Sequence, residues 1–116
     1  MDVLKNLEAI LAEAKEAAVA AANEMYEKIG GDRLACGFAW VDIYEYGGKK
    51  IRANSKLGKA LAANGIEKSD YKRCFDLWNP CGLSVQNIDI KEAGAEAYAK
   101  VLERYGFVAY MGSRLD

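Results

Sequence analysis

A chain of 116 residues suits a single domain, because a second hydrophobic core in so short a length would be starved of apolar surface. With 52% hydrophobic residues, 28% charged residues and one proline, its composition excludes a disordered or linker-rich protein. A net charge of −1 gives no global attraction to nucleic acid or to an anionic membrane, so an electrostatic partner must be met by a local cluster.

Residues 1–30 read as a long helix followed by its stop. Asp2 to Ile29 is rich in strong helix formers, and Gly30-Gly31 supplies a left-handed cap. Leu4, Leu7, Leu11, Ala14, Ala18, Ala21 and Met25 form an apolar stripe, widened by Ile10, Ala17 and Ile29. The alanine-rich half of that stripe can either cover the chain's own sheet or pair with a second subunit. The Met-Asp start with an amphipathic Ala/Glu/Lys pattern is unlike a signal peptide, and no apolar run reaches the ~18 residues of a spanning helix. A cytoplasmic location is therefore expected.

The α+β core is expected over residues 34–116. Leu34 to Tyr46 alternates as a strand, with Cys36, Phe38, Trp40 and Tyr44 on one face, and Ala35, Ala39, Val41 and Ile43 on the other; both faces look mostly covered. Gly47-Gly48 predicts a hairpin turn, with Lys49 to Ala53 returning as a short strand. Asn54 or Ser55 can cap a helix from Lys56 to about Asn64, ended by Gly65. Tyr71 to Trp78 reads as a strand, Asn79-Pro80-Cys81-Gly82 as a turn, and Leu83 to Gln86 as another short strand. Asp89 and Glu92 predict a capping box opening a helix that Gly106 ends. Phe107 to Met111 suits a last strand, with Gly112 to Asp116 as a polar finish. The expected fold is a long N-terminal helix followed by a mainly antiparallel sheet of about four or five strands, with two further helices packed on it.

Two clusters could hold a ligand. Lys49, Lys50, Arg52, Lys56 and Lys59 place five cations within eleven positions, overlapping the helix start at Ser55-Lys56, where free N–H groups favour an anion. Lysines also protect an exposed strand edge from pairing, which is the structural account of the same residues. Trp78, Asn79, Gln86, Asn87, Arg114 and Asp116 make up the second cluster, offering a stacking surface, amides and a guanidinium, an inventory that suits a nucleotide. Each has a structural alternative: Trp78 as core, the asparagines in turns and caps, Arg114 paired with Asp116. The second cluster depends on whether the loops after Trp78 and Met111 converge.

Catalytic raw material is poor. The chain has no histidine to act as a base near neutral pH, and no serine or cysteine in a nucleophile motif. Cys36, Cys74 and Cys81 form no CxxC pair, which removes the usual zinc and thioredoxin-type readings. Asp42, Glu45 and Asp76 remain as strand carboxylates able to serve as acids or metal ligands. Phosphate-binding loops and dinucleotide fingerprints are absent. A non-enzymatic binding protein is expected, with no metal and no cofactor.

Cys36-Gly37-Phe38-Ala39-Trp40-Val41, the Trp78-Asn79-Pro80 turn, Gln86 ahead of a Lys91/Gly94/Ala97 helix, and the ending Ser113-Arg114-Leu115-Asp116 together resemble a small bacteriophage family, the Thoeris anti-defense 1 inhibitors. The likeness runs from about Ala35 to Asp116, and the N-terminal helix matches in character only. It implies a homo-oligomeric, non-catalytic sponge that encloses an anionic nucleotide signal of the cyclic ADP-ribose type. Self-association is expected through the N-terminal helix, and the ligand-binding set, chosen by side-chain chemistry with the resemblance supplying only the class of ligand, is Trp78, Asn79, Gln86, Asn87, Arg114, Asp116, Lys56 and Arg52. Two other classes stand beside this one. A protein-interaction module would cover a host protein with its aromatic strand face; a small hydrolase or transferase would use carboxylates or Cys81 on a nucleotide-like substrate. Turnover separates the second from a sponge, and indifference to nucleotides separates the first.

Overall fold

A computed structural model describes residues 2–116. Helix α1 spans Leu7–Ile29, strand β1 Gly37–Tyr44, helix α2 Lys56–Ala63, strand β2 Glu67–Lys68, strand β3 Phe75–Trp78, helix α3 Ile88–Arg104 and strand β4 Val108–Leu115. The sheet order is β2-β3-β1-β4, and every neighbouring pair is antiparallel. Two split β-α-β units interleave: β1 and β2 run parallel with β3 between them, and β3 and β4 run parallel with β1 between them. This is the connectivity of a ferredoxin-like sheet, here with an added N-terminal helix. It fulfils the α+β expectation, with four strands and three helices.

The helical layer consists chiefly of α1 and α3. Ala39, Val41 and Ile43 of β1, Phe75 of β3 and Ala109 of β4 are buried with Leu7, Ile10, Leu11, Ala14, Ala18 and Ala22 of α1 and with Ile90, Tyr98, Val101 and Leu102 of α3 in one core. Ala14, Ala18 and Ala22 are fully covered, so the inner row of small residues in α1 serves packing within the chain. Ala17, Ala21 and Met25 of the stripe stay half-buried beside that inner row.

Several local expectations are corrected. Lys49 to Ala53 forms no strand, because β3 and β4 already occupy both edges of β1. A short 3-10 turn at Tyr46–Gly48, closed by the Glu45 N–H on the Lys49 carbonyl at 2.8 Å, leads instead to Ile51, which is buried as an anchor before α2. Strand β3 begins at Phe75, not Tyr71, because Ser69 to Arg73 closes a turn through the Arg73 N–H and the Ser69 carbonyl. Residues 83–86 are irregular; the Asp32 carboxylate accepts from the N–H groups of Gln86 and Asn87 and holds that segment. Helix α3 starts two residues early, with Asn87 as the cap in place of Asp89: the Asn87 side-chain oxygen accepts from Ile90 N–H at 2.9 Å. Strand β4 continues through Arg114 to Leu115, so the segment read as a polar finish belongs to the sheet. Helix α2 is capped by Ser55 as expected and contacts the short β2 edge.

Candidate functional site

Alternation along β1 sends Ala39, Val41 and Ile43 toward the helices and Phe38, Trp40, Asp42 and Tyr44 to the opposite face. Helices α1 and α3 cover only the first face. The second, open face carries no helix, yet Phe38, Trp40, Asp42 and Tyr44 are half-buried on it, in keeping with the sequence reading of two mostly covered faces, and it is chemically distinct. Register fixes its composition: Trp40 lies opposite Trp78 of β3 and Gly112 of β4, Asp42 opposite Asp76 and Tyr110, and Phe38 opposite Arg114.

Trp40 and Trp78 stack with ring centroids 4.7 Å apart and planes inclined by 27°. Gly112 makes room for this stack, since a Cβ there would lie 2.5 Å from the Trp40 indole. Phe38 meets Trp78 edge-on at 6.1 Å. The Arg114 guanidinium spans the same end of the face, 5.4 Å from the Phe38 ring centre and 5.9 Å from that of Trp78. Lys91 rises from α3 beneath the start of β1, donates to the Gly37 carbonyl at 2.8 Å and lies 5.2 Å from the Phe38 ring. Trp78 is 47% exposed, so the platform is open to a flat ligand.

Beside this platform is a charged triad. Asp42 and Asp76 face each other across β1 and β3, an arrangement that is unfavourable for like charges. Lys72 bridges them at 2.6 Å and 3.0 Å and lies 4.9 Å from the Trp40 ring centre. Burial opposes the Lys72 charge, yet the hydrogen bonds to Asp42 and Asp76 outweigh it and hold its pKa above the ordinary lysine value. A hydrogen bond with Cys74, assisted by burial, pushes the Tyr44 hydroxyl up to about 12. Burial likewise raises the Cys74 thiol. All three shifts favour the protonated forms: an ammonium, a phenol and a thiol.

The residues expected to bind a ligand are partly united. Trp78 on β3 and Arg114 on β4 converge across Phe38 of β1, which answers the question of convergence for these two. Gln86 borders the same end, where its carbonyl accepts from Gly37 N–H at 3.0 Å and its side chain is exposed. Asp116 ends β4 with its N–H on the Cys36 carbonyl, and its side chain is also exposed. Asn79 holds its own turn, donating to the Leu83 carbonyl and accepting from the Cys81 thiol. Asn87 is a correction: it is 1% exposed, and its side chain is taken up by the α3 cap and by the Arg33 carbonyl. Arg52 and Lys56 follow the far end of β1, beyond Tyr44, and have no ion-pair partner among the described residues. No group of three or more metal-ligating side chains occurs among the described residues.

Compared with protein-family models, with curated proteins and with solved structures, the chain matches none. The site must therefore be read from its own chemistry. Phe38, Trp40, Lys72 and Lys91 were absent from the ligand set read from the sequence. The alternation placing Phe38 and Trp40 on one strand face was visible there; their approach to Trp78 and Arg114 depends on cross-strand register, which has no local signal.

Proposed function

We propose that this protein is a non-catalytic binder that holds an anionic nucleotide on the open face of its sheet. The observation carrying this reading is the placement of the Arg114 guanidinium over Phe38 and Trp78, next to the Trp40/Trp78 stack. Indole faces accept a base by stacking, worth about 1–3 kcal/mol per base, and a guanidinium at their margin suits a phosphate. Gln86 and Asp116 border this end with exposed side chains able to bond a base edge or ribose. Binding without turnover is supported by the raised pKa values of Lys72, Tyr44 and Cys74, which oppose their use as base or nucleophile. The sequence resemblance supplies the finer form of the proposal: a phage sponge that withdraws a cyclic ADP-ribose-like signal and so counters host immunity.

The test is a panel of nucleotides and cyclic signalling nucleotides, cyclic ADP-ribose isomers included, read by melting shift and by mass analysis of ligand released on denaturation. A shift with ligand returned intact supports the proposal; altered ligand makes the protein an enzyme; no shift across the panel rejects nucleotide binding. Arg114→Ala should weaken binding by about 1.5–3 kcal/mol with the fold intact, the scale of a lost charge-assisted hydrogen bond.

A further inference from the structure

The two edges of the sheet are built very differently. On one side β2 has only Glu67 and Lys68, so that edge is short and charged, as expected of an edge protected against pairing. On the other side β4 runs eight residues, Val108–Leu115, with no proline and with Arg114 as its one charged residue. The Asp116 N–H bonds the Cys36 carbonyl, which sets the alternation: even-numbered residues of β4 turn their backbone groups to β1, and Ala109, Met111, Ser113 and Leu115 turn theirs outward. No strand meets that outer row among the described residues. Leu115 at 68% exposure and Tyr110 at 59% flank it uncovered.

We propose that two copies of this chain join edge to edge through β4, extending two four-stranded sheets into one continuous sheet, and that Tyr110 of each copy packs against Arg114 of the other's aromatic face. An antiparallel two-fold centred on Gly112 satisfies the whole outer row. It pairs Met111 with Ser113 and Ala109 with Leu115 in both directions, and four residues with one donor and one acceptor each make about eight hydrogen bonds between the copies. On the open face the same register sets Gly112 against Gly112, where there is no side chain to clash, and Tyr110 against Arg114. On the helix side Leu115 comes to lie against Ala109. A two-fold centred on Met111 leaves Leu115 bare and Arg114 opposite Val108, so the Gly112 register is the one that uses every outward group. The interface follows from the edge alone and does not rest on the nucleotide reading.

Sedimentation equilibrium of the whole chain tests this, with twice the 12.7 kDa chain mass expected. Tyr110→Arg sets arginine against Arg114 twice per dimer and should weaken association by about tenfold or more. Adding Arg114→Glu to Tyr110→Arg should restore it. Ser113→Pro removes an outward N–H while leaving the β1 ladder whole, and should also yield monomers. Far-UV circular dichroism identifies the variants that remain folded. A native chain that stays monomeric up to its solubility limit, or a dimer unmoved by both Tyr110→Arg and Ser113→Pro, overturns the proposal. Failure of the folded double variant to re-associate rejects the Gly112 register. A dimer that ignores nucleotides would count against the proposed function alone, and a monomer that binds them against the interface alone.

Discussion

Replacing Lys72 with methionine keeps an aliphatic chain over Trp40 but removes the ammonium between Asp42 and Asp76. Two charge-assisted bonds, at 2.6 and 3.0 Å, are lost. Each would be worth about 1.5–3 kcal/mol in a well-buried setting. Side-chain exposures of 26%, 19% and 12% for Lys72, Asp42 and Asp76 leave solvent to screen them, which lowers each to about 1 kcal/mol. The carboxylates are then left facing each other; at roughly 5 Å and an effective dielectric of about 20–80 their repulsion adds about 1–3 kcal/mol. The expected loss is about 3–5 kcal/mol near pH 7, measured by urea unfolding followed by far-UV circular dichroism. A loss below about 0.5 kcal/mol near pH 7 would refute the assignment of Lys72 as the bridge that lets this face exist.

The alkaline limb of stability should be steep. Burial pushes Tyr98 up to about 12 from an ordinary 10.0, so the folded chain retains a proton that the unfolded chain releases. Its contribution, up to about 2–3 kcal/mol, is full below about pH 10 and lost as pH rises through 12; Lys72, also raised, acts in the same direction above its ordinary 10.5. Melting temperatures across that range should fall less steeply for Tyr98→Phe than for the native chain, and parallel curves would reject this origin. Gly58→Ala should destabilise α2 by about 1–3 kcal/mol, although alanine ordinarily favours a helix over glycine by about 0.5–1 kcal/mol. Its Cβ would lie 2.1 Å from the Arg52 carbonyl oxygen, a backbone atom with little room to yield; a rise in urea midpoint would contradict that packing.

Elements with a strong period or a local stop were legible in the sequence. Helix α1 ends at Ile29 just before Gly30, as its propensities and glycines indicate, and Ser55 caps α2 as predicted. Errors arose where pairing partners decide the outcome. Lys49 to Ala53 looks like the second arm of a hairpin, but both edges of β1 go to distant strands, and no local residue announces that. Asp89 followed by Glu92 imitates a cap, while Asn87, tied to Arg33 and Ile90, takes the position through a contact with a residue far along the chain. The site followed the same rule: Trp78 and Arg114 were recognisable by chemistry, whereas Phe38 and Trp40 join them only through register, and Lys72 only through the turn that brings it over Asp42.

The chain contains two tryptophans, Trp40 and Trp78, and both lie on the proposed ligand face. Fluorescence excited selectively in tryptophan, apart from the seven tyrosines, therefore reports that face alone. Titrating the protein with cyclic ADP-ribose isomers and common nucleotides should give saturable quenching with at least one of them, shifted to higher ligand concentration by about tenfold or more in Arg114→Ala. Fluorescence unchanged by every nucleotide, or quenching that the Arg114 variant reproduces without loss of affinity, would contradict binding at the aromatic face.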